Sequence, residues 1–130
     1  MRTINILAVV DCVGAIASGN LKNNTYIVDT NGYEGSWNEG TSQLVSVCQD
    51  GQGLSWSVAS INPGNEVTIV SFSGSMVSSG ICNPKKQGIS GAESWKDIVQ
   101  SHGGIGMYQY NITLSINGKS MAFNAYIKVV

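Results

Sequence analysis

Hydrophobic positions along this chain recur with period two, and no stretch sustains a helical spacing. The clearest case lies near the C-terminus, where Asn117-Gly118 separates two alternating runs and supplies the positive φ angles of a two-residue type I′ turn. Such a turn pairs Ile116 with Lys119. Counting outward then sets Leu114 opposite Met121, Ile112 opposite Phe123, Tyr110 opposite Ala125 and Tyr108 opposite Ile127. All of these share one face, because side chains two apart in a strand point the same way. The other face carries Asn111, Thr113, Ser115, Ser120 and Asn124, so a long hairpin with one wet side is expected.

Upstream, Leu54-Ser-Trp56-Ser-Val58 alternates between the Gly-rich turn 50–53 and the turn Asn62-Pro63-Gly64-Asn65, and a β-branched run follows from Val67 to Phe72. These two read as adjacent antiparallel strands. Further strands are expected at Tyr26–Asp29, at Leu44–Cys48 and at Ile4–Val10, the last nearly continuous in apolar residues. Residues 74–104 are the least regular, a loop with a short strand around Trp95–Val99. Six to eight short strands at this spacing predict an all-β fold, an antiparallel β-sandwich of jelly-roll-like type. No repeat or linker divides the chain, so residues 1–130 are expected to form a single domain.

Composition narrows the function classes. Seven Lys+Arg against eight Asp+Glu leave a net charge of −1, and only 12% of residues are charged, against about 25% in typical domains. There is no basic footprint for nucleic acid or for anionic lipid. The longest apolar run near the N-terminus, Ile6–Val10, is shorter than the roughly 7–15 residues of a signal-peptide core, and nothing approaches a membrane span. A cytoplasmic protein without membrane insertion is expected. Three widely spaced cysteines, Cys12, Cys48 and Cys82, suit buried free thiols, the alternative being one bridge with a spare thiol.

Catalytic motifs are thin. The single histidine, His102, precedes Gly103-Gly104 and reads as an exposed loop residue, with no nucleophile elbow or phosphate-binding loop elsewhere. Asp29, Glu34 and Glu39 could supply a glycosidase carboxylate pair, but in a turn-rich loop solvated carboxylates are the default, so no enzyme is expected. More informative is what segment 29–41 gathers. Asp29, Asn31, Glu34, Asn38 and Glu39 offer short polar groups for sugar hydroxyls, while Tyr33 and Trp37 offer flat faces for sugar C–H groups. The competing reading is an Asx-rich connecting loop with Trp37 folded over the end of the sandwich. The D-x-N-G run from Asp29 also offers oxygen ligands to calcium, so Ca²⁺ is left open while no cofactor is required.

The opening INILAVVDCVGAIASG, the middle DTNGYEGSWNEGTSQLVSVCQDGQ, the strand LSWSV and the close YQYNITLSINGKSMAFNAYIKVV resemble the AidA/PixA family of bacterial inclusion-body-type proteins over essentially the whole chain. The resemblance implies a small cytoplasmic bacterial protein, quorum-sensing-controlled in the AidA branch and held in intracellular inclusions in the PixA branch. It also implies a lectin-like β-sandwich, and it brings no catalytic motif. The leading expectation is therefore a non-enzymatic carbohydrate-binding protein that acts as a homo-oligomer on a glycan ligand, in the cytoplasm or after release on lysis, since linked weak sites gain avidity. The alternative is a self-assembling inclusion-body or storage protein with no small-molecule ligand, favoured by a net charge near zero.

Overall fold

The computed structural model describes residues 2–30, 44–88 and 93–130. Alternation and turn chemistry meet in the hairpin of β8 (Gly106–Ile116) and β9 (Lys119–Val129). Its register is the counted one, from Ile116–Lys119 through Leu114–Met121, Ile112–Phe123 and Tyr110–Ala125 to Tyr108–Ile127. Asn117 and Gly118 take φ values of 50° and 85°, the left-handed geometry that lets so short a turn follow the strand twist. Tyr110, Ile112, Leu114 and Ile116 on β8, with Phe123, Ala125, Ile127 and Val129 on β9, are buried on one face. Full burial of one such Ile or Leu is worth about 1.5–3 kcal/mol, so this hairpin supplies a large share of the core wall.

Around the hairpin stands a four-stranded sheet in the order β3 (Val45–Cys48), β9, β8, β5 (Val67–Ser73). Facing it is a five-stranded sheet in the order β2 (Thr25–Asp29), β1 (Ile4–Val10), β4 (Gly53–Ser60), β7 (Ser94–Ile98), β6 (Lys85–Gln87). The inward face of the five-stranded sheet contributes Ile4, Ile6, Val10, Ile27, Leu54 and Trp56. Between the sheets, Trp56 meets Phe72 at 5.0 Å and Tyr110 at 5.5 Å in edge-on contacts, and Phe72 also meets Trp95 at 5.6 Å. Such ring pairs add to the area they bury.

The sandwich is as expected, with three differences of detail. Two pairings are parallel rather than antiparallel, β1 with β4 and β3 with β9. Strands β4 and β5, expected side by side, lie in different sheets, because the turn 62–65 carries the chain across the sandwich instead of folding it back as a tight hairpin. A helix also occurs where none was expected, α1 (Cys12–Ser18). It is two turns long, too short to show a period, and is set by its ends. The Asp11 carboxylate accepts the Gly14 N–H at 3.0 Å, and Gly19 closes the helix at φ 68°. Residues 74–104 hold a second short helix, α2 (Ser75–Ser78), as well as β6 and β7. Strand β1, second in its sheet, is buried on its inner face, while Leu7 and Val9 on its outer face are half-buried and Asn5 is exposed.

Candidate functional site

Of the residues expected to form a saccharide platform, the structure describes Asp29. Asn31, Tyr33, Glu34, Trp37, Asn38 and Glu39 lie outside the described residues. Asp29 ends β2 with its side chain on the same face as Thr25 and Ile27, which are both buried. Across the sheet it aligns with Ile6 and then with Trp56 and Trp95. Its carboxylate accepts the hydroxyl of the fully buried Ser46, on β3 of the opposite sheet. That bond ties the two sheets together along one side of the sandwich. The calcium expectation falls on the same segment, and among the described residues no group of three His, Cys, Asp or Glu side chains is arranged to hold a metal.

Other polar groups serve the scaffold. The amides of the 20–24 loop turn on the loop itself: Asn24 Nδ2 donates to the Asn20 carbonyl at 2.7 Å and to Ser18 Oγ at 3.1 Å, and Asn20 Oδ1 accepts the Asn23 N–H at 3.0 Å. His102 is exposed, at φ 53°. The nearby Asp50 carboxylate is spent on backbone, accepting the N–H of Ser101 at 2.8 Å and of Gly103 at 3.2 Å. The Ser101 bond is the largest influence holding that carboxyl below its ordinary range. All three cysteines are free and buried. Burial pushes the Cys48 thiol up to about 12, and burial with the Asp97 and Cys48 charges does the same for Cys82, so both are protonated and unreactive near neutrality.

One buried polar pair stands out inside the core. Among the described residues neither Trp56 Nε1 nor the Tyr110 hydroxyl finds a hydrogen-bond partner, although both side chains are fully buried. Burial pushes the phenol above its ordinary range, and the Trp56 N–H lies near enough to offset part of that rise without reaching hydrogen-bond geometry. Three surface cavities among the described residues measure 280 to 340 Å³. They match only the smallest ligand pockets, which start at about 300 Å³. The first opens between the sheets beside Val58, Val67, Ile69 and Trp95, and its carboxylate, Glu93, is already paired with Lys86 at 3.0 Å.

The surface feature that departs from an ordinary soluble sandwich is the outer face of the five-stranded sheet. Register places Val28, Leu7 and Ser57 in one cross-strand row and Tyr26, Val9 and Ala59 in the next. Tyr26 is 51% exposed and Val28 41%. A third row, Asn5, Ser55, Lys96 and Lys85, turns polar and cationic toward β6. The outer face of the other sheet mixes Gln109, Asn111, Thr113, Ser115 and Asn124 with Tyr126 and with Met107, which is 55% exposed. An exposed apolar, charge-free patch at one sheet edge is the signature of a contact surface. Its sequence signal is Tyr26-Ile27-Val28, where apolar residues occupy both faces of one short strand.

A family model described as "Domain of unknown function (DUF8788)" matches residues 2–122. No curated protein matches the chain. Among solved structures, the chain is similar to the crystal structure of an inclusion body protein (PixA) from Burkholderia cenocepacia J2315, at 15% identity and a TM-score of 0.69, over 99% of this chain and 94% of that one. The PixA-type resemblance of the sequence is thus met at the level of the whole fold.

Proposed function

The chain belongs to the DUF8788 domain family, and from that premise we propose that its function is its own assembly: a non-enzymatic, inclusion-forming cytoplasmic protein with no small-molecule ligand. The observation that carries this is the apolar outer face of the five-stranded sheet, with Tyr26 and Val28 exposed at its edge and no charge in its two apolar rows. Two further facts support it. The chain shares its fold with an inclusion body protein. Its net charge is −1 with a pI near 5.6, so electrostatic self-repulsion is weak around mildly acidic and neutral pH. The carbohydrate-binding expectation draws no support of this kind from the described residues, where Asp29 is engaged by Ser46.

Light scattering of purified protein across pH 5 to 8, paired with a glycan array of the dispersed protein, tests the proposal. Concentration-dependent scattering that is strongest near the pI and reverses as pH rises is the expected result. A protein that stays monomeric throughout, or one that binds a defined terminal sugar saturably while dispersed, would overturn it.

A further inference from the structure

Strands β6 and β7 set two lysines, Lys85 and Lys96, directly opposite one another, and like charges so placed destabilise a sheet. Both side chains are exposed. The face they occupy follows by alternation. Lys86 pairs with Trp95, whose row continues to the buried Trp56, so Lys85 and Lys96 stand one step away on the outer face. A lysine on β6, last in its sheet, serves to keep other strands from adding there. That need does not extend to Lys96, because β7 lies between β4 and β6. In a chain with seven Lys+Arg among 130 residues, crowding does not force the two together either.

Among the described residues no carboxylate offsets the two charges. Glu93 is engaged by Lys86 at 3.0 Å. Asp97 shares the face of the buried Leu54 and accepts the Asn83 N–H at 2.8 Å. Beside the lysines lies a cavity of about 340 Å³, bordered also by Thr3, Gly53, Gln87 and Ile98. Gly53 keeps its floor low, since a Cβ there would stand 3.1 Å from Thr3 Oγ1. The side chains of Thr3, Lys85, Gln87 and Lys96 have no hydrogen-bond or ion-pair partner among the described residues. Two ammoniums, a hydroxyl and an amide thus border one cavity with their donors unspent, while the carboxylate at its rim is spent on backbone.

We propose that Lys85 and Lys96, flanked by Thr3 and Gln87, bind a tetrahedral oxyanion of the sulfate or phosphate class, an inorganic counter-ion rather than an organic ligand. An anion held by both ammoniums turns a repulsive cross-strand pair into two charge-assisted hydrogen bonds. A local conflict of this kind, left uncorrected in the sheet, is what a functional site leaves behind. The site goes beyond the self-assembly reading, and its consequence for assembly rests on that reading. The row Asn5, Ser55, Lys96, Lys85 directly borders the apolar row Val28, Leu7, Ser57 of the proposed contact face. Lysines at the border of that face repel those of a second copy until an anion neutralises them.

Sulfate titrated into the isotopically labelled full chain at pH 8, where the protein is dispersed, tests the site through amide chemical shifts. Saturable shifts confined to the amides around 3, 53, 85–87 and 96–98 are expected. Lys85→Gln and Lys96→Gln, at exposed positions that leave the core untouched, should each weaken binding roughly tenfold or more. Lys119→Gln, an equal loss of charge at the exposed β8–β9 turn, should bind as the wild type does. Shifts that never saturate, or a Lys96→Gln variant that titrates like the wild type, overturn the site and leave self-assembly untouched. Light scattering near the pI reads the consequence. Sulfate should lower the concentration needed for assembly severalfold relative to chloride at equal ionic strength, and Lys85→Gln/Lys96→Gln should respond to the two salts alike. A saturating site with assembly indifferent to the salt overturns the link between them. A chain that stays monomeric in either salt overturns the self-assembly reading, while the titration still decides the site.

Discussion

Replacing Tyr110 with Phe should stabilise the protein, against the usual rule that a core substitution costs stability. The hydroxyl is fully buried and, among the described residues, unpartnered, beside a Trp56 N–H in the same condition. Leaving such a group unpaired costs about 1–3 kcal/mol. Removing one oxygen opens a void on the order of 10 Å³, which costs about 0.2 kcal/mol at about 24 cal/mol per Å³. The partial contact with the Trp56 N–H recovers some of the penalty, so the expected net gain is about 1–2 kcal/mol. At this chain length that raises Tm by about 4–8 °C. A pH arm sharpens the test. The folded phenol is raised above its ordinary value of 10.0, chiefly by burial, so the neutral form is favoured in the native state. The stability this contributes is fully present below pH 10 and is lost as pH rises above it, while the Phe variant is spared that loss. Thermal unfolding by circular dichroism at pH 7 and above pH 10 should show a positive gap that widens in alkali. A fall in Tm of more than about 2 °C at pH 7 would refute the reasoning, because it would mean the hydroxyl makes a net favourable hydrogen bond in the core.

Two further predictions concern the scaffold. Gly14→Ala, which helix propensity alone would favour by up to about 1 kcal/mol, should instead destabilise by about 1–2 kcal/mol in urea unfolding, through loss of the cap. Its Cβ would stand 2.4 Å from Asn24 Oδ1 and 2.7 Å from Asp11 Oδ2, both of them held in the cap and the adjoining loop; a gain in stability would contradict this. Asp50→Asn should lower Tm at pH 7 by releasing the 101–103 backbone. Because the folded carboxyl sits below 3.8, its contribution is present above that value and is lost as pH falls through the folded value. The gap between variant and wild type should therefore close in acid, and parallel Tm-against-pH profiles would count against the assignment.

What could be read in advance divides along local and long-range lines. The β8–β9 register followed from Asn117-Gly118, because a two-residue turn leaves no freedom in pairing. The parallel contacts of β1 with β4 and of β3 with β9 had no such marker, since strands distant in sequence are matched by packing rather than by a turn. For the same reason Val58 and Val67 could not be assigned to different sheets by their alternation. Helix α1 was hidden by its length, though Asp11 and Gly19 marked its ends. At the site, the period-two step from Ile27 to Asp29 would have placed Asp29 on the inner face rather than in the ligand-binding loop expected, and Tyr26 and Val28 would have marked an apolar outer face.

Sedimentation velocity of the purified chain over a hundredfold range of concentration near its pI of about 5.6 tests self-assembly most directly. A weight-average sedimentation coefficient that climbs with concentration is the result this account requires. A single monomer boundary at every concentration would contradict it.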